Sequence, residues 1–160
     1  THDQIEAMTL ATRIGVLDHG ALVQVGTPQQ IYQDPVSASV AARLGSPRIN
    51  LLPCAVVGTL AAPPAAATVG VRPDATRLAQ ANGHDRGHVQ AMVRRIEHLG
   101  SERHVHVALA HSVQDVELVT LGHDLSGIEP GRAVSVEFTA PLYFGADGQR
   151  IRTMPCSCRR

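Results

Sequence analysis

Four short stretches, Val89 to Leu99, Arg103 to Ala110, Val113 to Leu121 and Arg132 to Phe138, alternate or run apolar and are parted by Gly, Ser or Pro turns. Successive side chains of a strand point to opposite faces, so residues two apart share a face. Val105, Val107 and Leu109 do so, and Val134, Val136 and Phe138 form a second such set. Strands this short and closely spaced, with no helical period among them, point to a small barrel. Upstream, Val69 to Pro73 reads as a strand stopped by Pro73, and Cys54 to Leu60 as the first strand of the unit. Ala61 to Ala67 between them is a low-complexity loop of little packing value. Only Tyr32, Phe138, Tyr143 and Phe144 are aromatic, so the core has to be built from Val, Leu, Ile and Ala.

The residues before Leu51 have a different texture. Asp3 can cap a helix running to Ala11, with Glu6 three residues on as the other half of a capping box. Ile5 and Met8 share one face of that helix, and Leu10 and Ala11 widen it. Arg13 to Asp18 and Ala21 to Val25 read as a hairpin closed at His19-Gly20, where Gly accepts positive φ. Thr27-Pro28 is a strong helix start, and Asp34-Pro35 stops that helix early. Ser37 to Leu44 is a further short helix ended by Gly45, and Ser46 to Asn50 has the composition of a linker. The domain reading is an N-terminal unit over 1–45, a linker over 46–53, a β unit over 54–152 and a disordered tail over 153–160.

Charge and cysteine usage exclude several classes. The fourteen Arg balance fourteen acidic residues, and there is no Lys. Zero net charge argues against a nucleic-acid or anionic-membrane binder, and no aromatics interleave with Arg94-Arg95 as stacking platforms. Cys54, Cys156 and Cys158 are too few and too oddly spaced for a disulfide framework, which suits a reducing compartment. No apolar run reaches the roughly 18 residues of a membrane-spanning helix, and the start lacks a signal-segment pattern.

Several motifs together resemble one family. His2-Asp3-Gln4-x-Glu6-Ala7, Arg13-Ile14-x-Val16-Leu17, Gly20, Gln24-Val25-Gly26-Thr27-Pro28, Ile31-Tyr32, Pro35, Val40-Ala41 and Leu44-Gly45-Ser46-Pro47 resemble the C-terminal part of an ABC transporter ATP-binding subunit. The nearest likeness is to importers of maltose-type sugars and glycerol phosphate. Asn50-Leu51-Leu52-Pro53 continues the pattern. Gly70-Val71-Arg72-Pro73-Asp74 is similar to the Gly-Ile-Arg-Pro-Glu stretch of that family's appended TOBE (transport-associated OB) domain. Glu97-x-Leu99-Gly100-Ser101-Glu102 and Phe144-x-x-Asp147-Gly148 also fit. The likeness is strongest through Pro53 and absent over Pro155 to Arg160.

This resemblance implies a mixed fold: an α/β remnant of the ATPase domain followed by an all-β OB-like barrel. It implies that the chain continues a domain begun upstream, and that His2 is the switch-loop residue contacting the γ-phosphate of ATP. An imidazole there can donate to an oxygen on which transition-state charge builds. ATP and Mg are the cofactors implied for the full-length parent. A second copy of the subunit, transmembrane permease subunits and a regulatory protein on the β domain are its implied partners. The implied location is the cytoplasmic face of the cell membrane, as a peripheral protein.

The phosphate-cradling Gly-x-x-x-x-Gly-Lys-Ser/Thr loop requires a Lys that this sequence does not contain. The Mg-binding acid and catalytic Glu precede the switch His in this family, so this chain alone is expected not to hydrolyse ATP. Leu125-Ser126-Gly127-Ile128-Glu129 imitates the family's signature but follows His2 instead of preceding it, and reads as a connecting loop. The alternative is a stand-alone OB-like module for small-ligand sensing or dimerisation, which would leave residues 1 to 45 without a use. His104 and His106 share a strand face, with no Cys or carboxylate completing a recognisable metal set. They read as solvated residues opposite Val105 and Val107, and no metal is expected.

Overall fold

The computed structural model describes residues 1, 3–57, 62–81, 88–100, 102–109, 117–121 and 127–152. Helix α1 (Gln4–Leu10) begins where the Asp3 carboxylate accepts the Glu6 N–H at 3.0 Å. The second half of the expected box is not made. Glu6 instead takes the Thr1 hydroxyl, and the Asp3 N–H donates to that same hydroxyl oxygen, so Thr1 stands between the two would-be partners. Strands β1 (Ile14–Asp18) and β2 (Ala21–Gly26) form the expected antiparallel hairpin. Its turn holds both His19 and Gly20 at positive φ, 48° and 79°, which suits a two-residue turn between right-twisted strands.

Helix α2 (Pro28–Gln33) carries a complete capping box: the Gln30 N–H donates to the Thr27 hydroxyl and the Gln30 side chain accepts from the Thr27 N–H. Helix α3 (Ala38–Arg43) is capped by Ser37, which accepts from the Val40 N–H. Ile31, Val40, Leu44 and Val16 are buried together, with Met8 and Ile14 against them. Arg43 ties α3 to the hairpin through Asp18 at 2.6 Å. Hydrogen bonding from Ser39 and then from Arg43 holds the Asp18 carboxyl below its ordinary range.

The rest is β structure. One antiparallel sheet has the order β11 (Arg150–Ile151), β10 (Leu142–Phe144), β4 (Thr68–Val71), β3 (Asn50–Pro53). The other has the order β5 (Thr76–Gln80), β9 (Ala133–Phe138), β6 (Val89–Leu99), β7 (Glu102–Leu109), β8 (Glu117–Leu121). The first strand lies earlier than expected. Asn50–Pro53 is strand, while Cys54–Val57 is a 3-10 turn, and residues 58–60 lie outside the described residues. β3 is an edge strand, where Pro53's lack of an N–H costs nothing, and its register sets Leu52 opposite Val69 so that both are buried. The Ala-rich loop also packs more than expected. Ala62 and Ala66 lie against the core, and Ala67 bonds both Cys54 and Phe144 through its backbone.

The core between the sheets is built from Val69, Val71, Val93, Val105, Val107, Val134 and Val136 with Leu52 and Leu118. Both predicted strand faces point into it. Arg94 is the extra residue of a bulge in β6, between Val93, opposite Val107, and Arg95, opposite His106. Asn50 joins the sheets. Its amide donates to Val71 O at 3.2 Å and Val119 O at 2.8 Å, and it accepts the Val119 N–H at 2.8 Å. Its side chain thus occupies the place of a neighbouring strand beside β8. The Thr120 hydroxyl, fully buried, reaches the carbonyls of Pro73 and Thr76, both at 3.2 Å. It brings β8 back to the start of β5, so the two ends of the sheet order meet and the sheet is curled.

Among the described residues the fold is thus mostly β with three short helices. No helix among them is long and apolar enough to cross a membrane.

Candidate functional site

His2, the one residue with an expected catalytic contact, lies outside the described residues. Its neighbours are held firmly. Asp3 is committed to capping α1, and Gln4 Oε1 accepts the Gly45 N–H at 3.2 Å, 41 residues away in sequence. A groove of about 870 Å³ opens beside them, lined among others by Asp3, Gln4, Met8, Arg43 and Arg48. These side chains do not make a magnesium-nucleotide site by themselves, because the Asp3 carboxylate and the Arg43 guanidinium are already engaged, by the helix end and by Asp18. Ile5, Leu10, Leu17, Leu22 and Val25 are all exposed on α1 and the hairpin, so the apolar face predicted for α1 is split: Met8 packs inward, while Ile5 and Leu10 are uncovered.

The most built-up polar site lies where the helices meet the sheets. Arg72, at the end of β4, is only 5% exposed. Its guanidinium donates to the carbonyls of Ala41 (3.2 Å) and Leu44 through one nitrogen and of Tyr32 (2.9 Å) through the other. It also stacks on the Tyr32 ring at 3.8 Å from the centroid, and the Tyr32 hydroxyl bonds Asp74 at 3.3 Å. A planar guanidinium can make these contacts together; an ammonium cannot. The carbonyls belong to the last turns of α2 and α3, where intrahelical donors run out and the helix dipole is negative. Arg72 therefore serves as the shared C-terminal cap of both helices. Burial pushes its guanidinium below the ordinary range, opposed by Tyr32 and Asp74. Its Nε is buried without a hydrogen-bond partner. Sequence reasoning placed Arg72 in a motif but missed this role; the available signal was a charged residue directly after the apolar run Val69 to Val71.

The same interface is held elsewhere by apolar and ionic contacts. Ala41, Ile49 and Phe144 form a small buried cluster between α3 and β10. Asp34, at the end of α2, meets Arg152 at 3.0 Å and Arg150 at 3.8 Å. Backbone bonds from Ala38 to Gly148 and from Arg150 to Val36 run beside them.

The histidines of β7 are not solvated as expected. His106 is 8% exposed, and its Nε2 lies 3.4 Å from Glu97; His104 is also largely covered and lies 3.4 Å from Glu102. β7 sits between β6 and β8, so long neighbours on both flanks cover its outer face. Among the described residues no three His, Cys, Asp or Glu converge as a metal would require. Ile128 of the signature-like stretch is buried in the core, while Leu125 and Ser126 lie outside the described residues, as do Cys156 and Cys158. Burial pushes the Cys54 thiol up, away from nucleophilic use.

A TOBE domain is matched over residues 69–141. The sn-glycerol-3-phosphate import ATP-binding protein UgpC of Rhizobium meliloti is 42% identical, over 94% of this chain and 45% of the relative. That of Brucella abortus is 36% identical over the same shares. UgpC 3 of Rhizobium etli is 42% identical over 76% of this chain and 36% of its own length. The chain thus spans less than half the length of these curated relatives. A solved structure of the cytoplasmic molybdate-binding protein ModG, with molybdate bound, covers 55% of this chain and 61% of ModG at 19% identity; its TM-score of 0.38 is too low to carry an inference. Similarity to importer ATP-binding subunits runs along nearly the whole sequence, through the helices and hairpin as well as the TOBE domain. The chain thus carries a TOBE domain and is similar, along nearly its whole length, to the ATP-binding subunits of ABC importers.

Proposed function

We propose that this chain is the C-terminal portion of such a subunit, which in its full-length form binds ATP and Mg and energises uptake of glycerol phosphate, a sugar or a related solute. The observation that carries this reading is the reach of the similarity. The TOBE match begins at Val69, yet the relatives align over 94% of the chain, including the helices and hairpin that a free-standing sensor would not need. On this reading α1, the hairpin, α2 and α3 are the α/β remnant of the nucleotide-binding body. Their exposed Ile5, Leu10, Leu17, Leu22 and Val25 then face the rest of that body. His2 is the switch residue that contacts the γ-phosphate, and the β unit is the regulatory domain. A second copy, permease subunits and a regulatory protein are the partners, with no nucleic acid, at the cytoplasmic membrane face.

Chemically, the part assigned to this chain is one contact and its support. Asp3 and Gln4 fix the start of α1, and the nucleotide's main anchors come from elsewhere. The 160-residue chain is therefore expected not to hydrolyse ATP. The test is phosphate release by the purified chain with ATP and Mg, beside His2→Ala. Equal, background rates are expected; release above the His2→Ala control refutes the reading.

A further inference from the structure

We propose that Arg72 couples the start of α1 to the β unit, so that a shift at Gln4 passes through Gly45 and Leu44 to the guanidinium and on to the turn at Pro73–Ala75. Each link is a direct contact. Gln4 Oε1 accepts the Gly45 N–H at 3.2 Å. Gly45 follows Leu44, whose carbonyl Arg72 holds together with those of Ala41 and Tyr32. Behind Arg72, its own carbonyl accepts the Ala75 N–H at 3.0 Å and the Thr76 hydroxyl at 3.1 Å, and Ala75 O accepts the Thr139 N–H at 2.9 Å. The path thus ends at Thr139, just past the C-terminal end of β9.

The chemistry makes this joint stiff. A guanidinium that is 5% exposed cannot give up a carbonyl to water without leaving a buried charge short of partners. Its Nε already lacks one. The cage exists only when the last turns of α2 and α3 stand at one spacing, so Arg72 follows these two helix ends or the cage breaks. Gly45 is closely surrounded: at its φ of +114°, an added Cβ would lie 3.1 Å from the Arg72 guanidinium and 3.2 Å from the Tyr32 ring. The contacts at Asp34 and in the cluster of Ala41, Ile49 and Phe144 also cross this interface but do not involve α1. The inference deepens the proposed function, since it would carry a change beside the switch residue into the regulatory domain.

Hydrogen exchange on the full chain tests it without ATP, so its failure is distinct from failure of the ATPase reading. Gln4→Ala is expected to speed exchange at the Ala75 and Thr139 amides about twofold or more, with Val134 and Val136 of β9 unchanged. In an Arg72→Met background the same Gln4→Ala change is expected to have no further effect at those amides, as a coupled pair requires. Should Arg72→Met not fold, Arg72→Lys, whose ammonium cannot hold the three carbonyls together, replaces it in the cycle. The proposal is overturned by unmoved Ala75 and Thr139 amides in Gln4→Ala, by equal acceleration at Val134 and Val136, or by an effect of Gln4→Ala that survives the loss of the cage.

Discussion

Asn50 offers a sharp test of how the two sheets are joined. Its half-buried amide satisfies the Val119 N–H and C=O at 2.8 Å each and reaches Val71 O at 3.2 Å. A net hydrogen bond contributes about 1 kcal/mol, and a buried partner left unsatisfied costs about 1–3 kcal/mol, so Asn50→Ala should lose about 2–4 kcal/mol. That is a large share of a stability of about 5–15 kcal/mol. Asn50→Asp separates pairing from mere volume. One carboxylate oxygen can still accept from Val119, but the other replaces a donor and faces two carbonyl oxygens. The isosteric acid is therefore expected to be less stable than alanine near neutral pH. Facing two carbonyls raises the folded-state pKa of this carboxyl, so the gap should narrow as pH falls from that raised value towards the unfolded value of about 4, because the protonated carboxyl regains a donor. Equilibrium urea unfolding followed by far-UV circular dichroism reads the order wild type, Ala, Asp directly. An Asp variant as stable as Ala, or both within about 0.5 kcal/mol of wild type, would falsify the idea that Asn50 takes a strand's place beside β8.

Two further substitutions probe the same interface. Gly70→Ala would set a Cβ 2.9 Å from both Ile49 Cδ1 and Phe144 Cε2. It should cost about 1–3 kcal/mol by overpacking, seen as a lowered thermal midpoint, and an unchanged midpoint would mean that β4 moves freely against β10. Thr27→Ala removes the hydroxyl of the α2 capping box and should cost about 1 kcal/mol, with Thr27→Ser close to wild type in the same urea assay.

Local chemistry was legible wherever neighbours in sequence settle the structure. Thr27, Pro28 and Gln30 specify a helix start among themselves, and His19-Gly20 specifies a two-residue turn. The alternation of Val105, Val107 and Leu109 identifies the buried face of β7 because a strand's period is fixed by its backbone. Asn50 and the Ala-rich loop were misread for the opposite reason. Polar and small residues look like linker until a distant strand, such as β8, supplies the groups they bond. His104 and His106 looked solvated because covering by β6 and β8 is not written in their own spacing.

By itself, then, the sequence determined the short helices, most of the strands of the β unit, the valine core and the family likeness carried by its motifs. Each of these rests on periodicity, capping or residue identity within a few positions. Only the tertiary structure decided which polar residues hold the parts together. Arg72 meets Tyr32, Ala41 and Leu44 across 28 to 40 residues, and Asn50 meets Val119 across 69. A buried guanidinium or amide has no preferred partner until folding removes water and leaves those carbonyls as its only acceptors. That is why the motif around Arg72 could be seen in the sequence, while its place as the common cap of α2 and α3 could not.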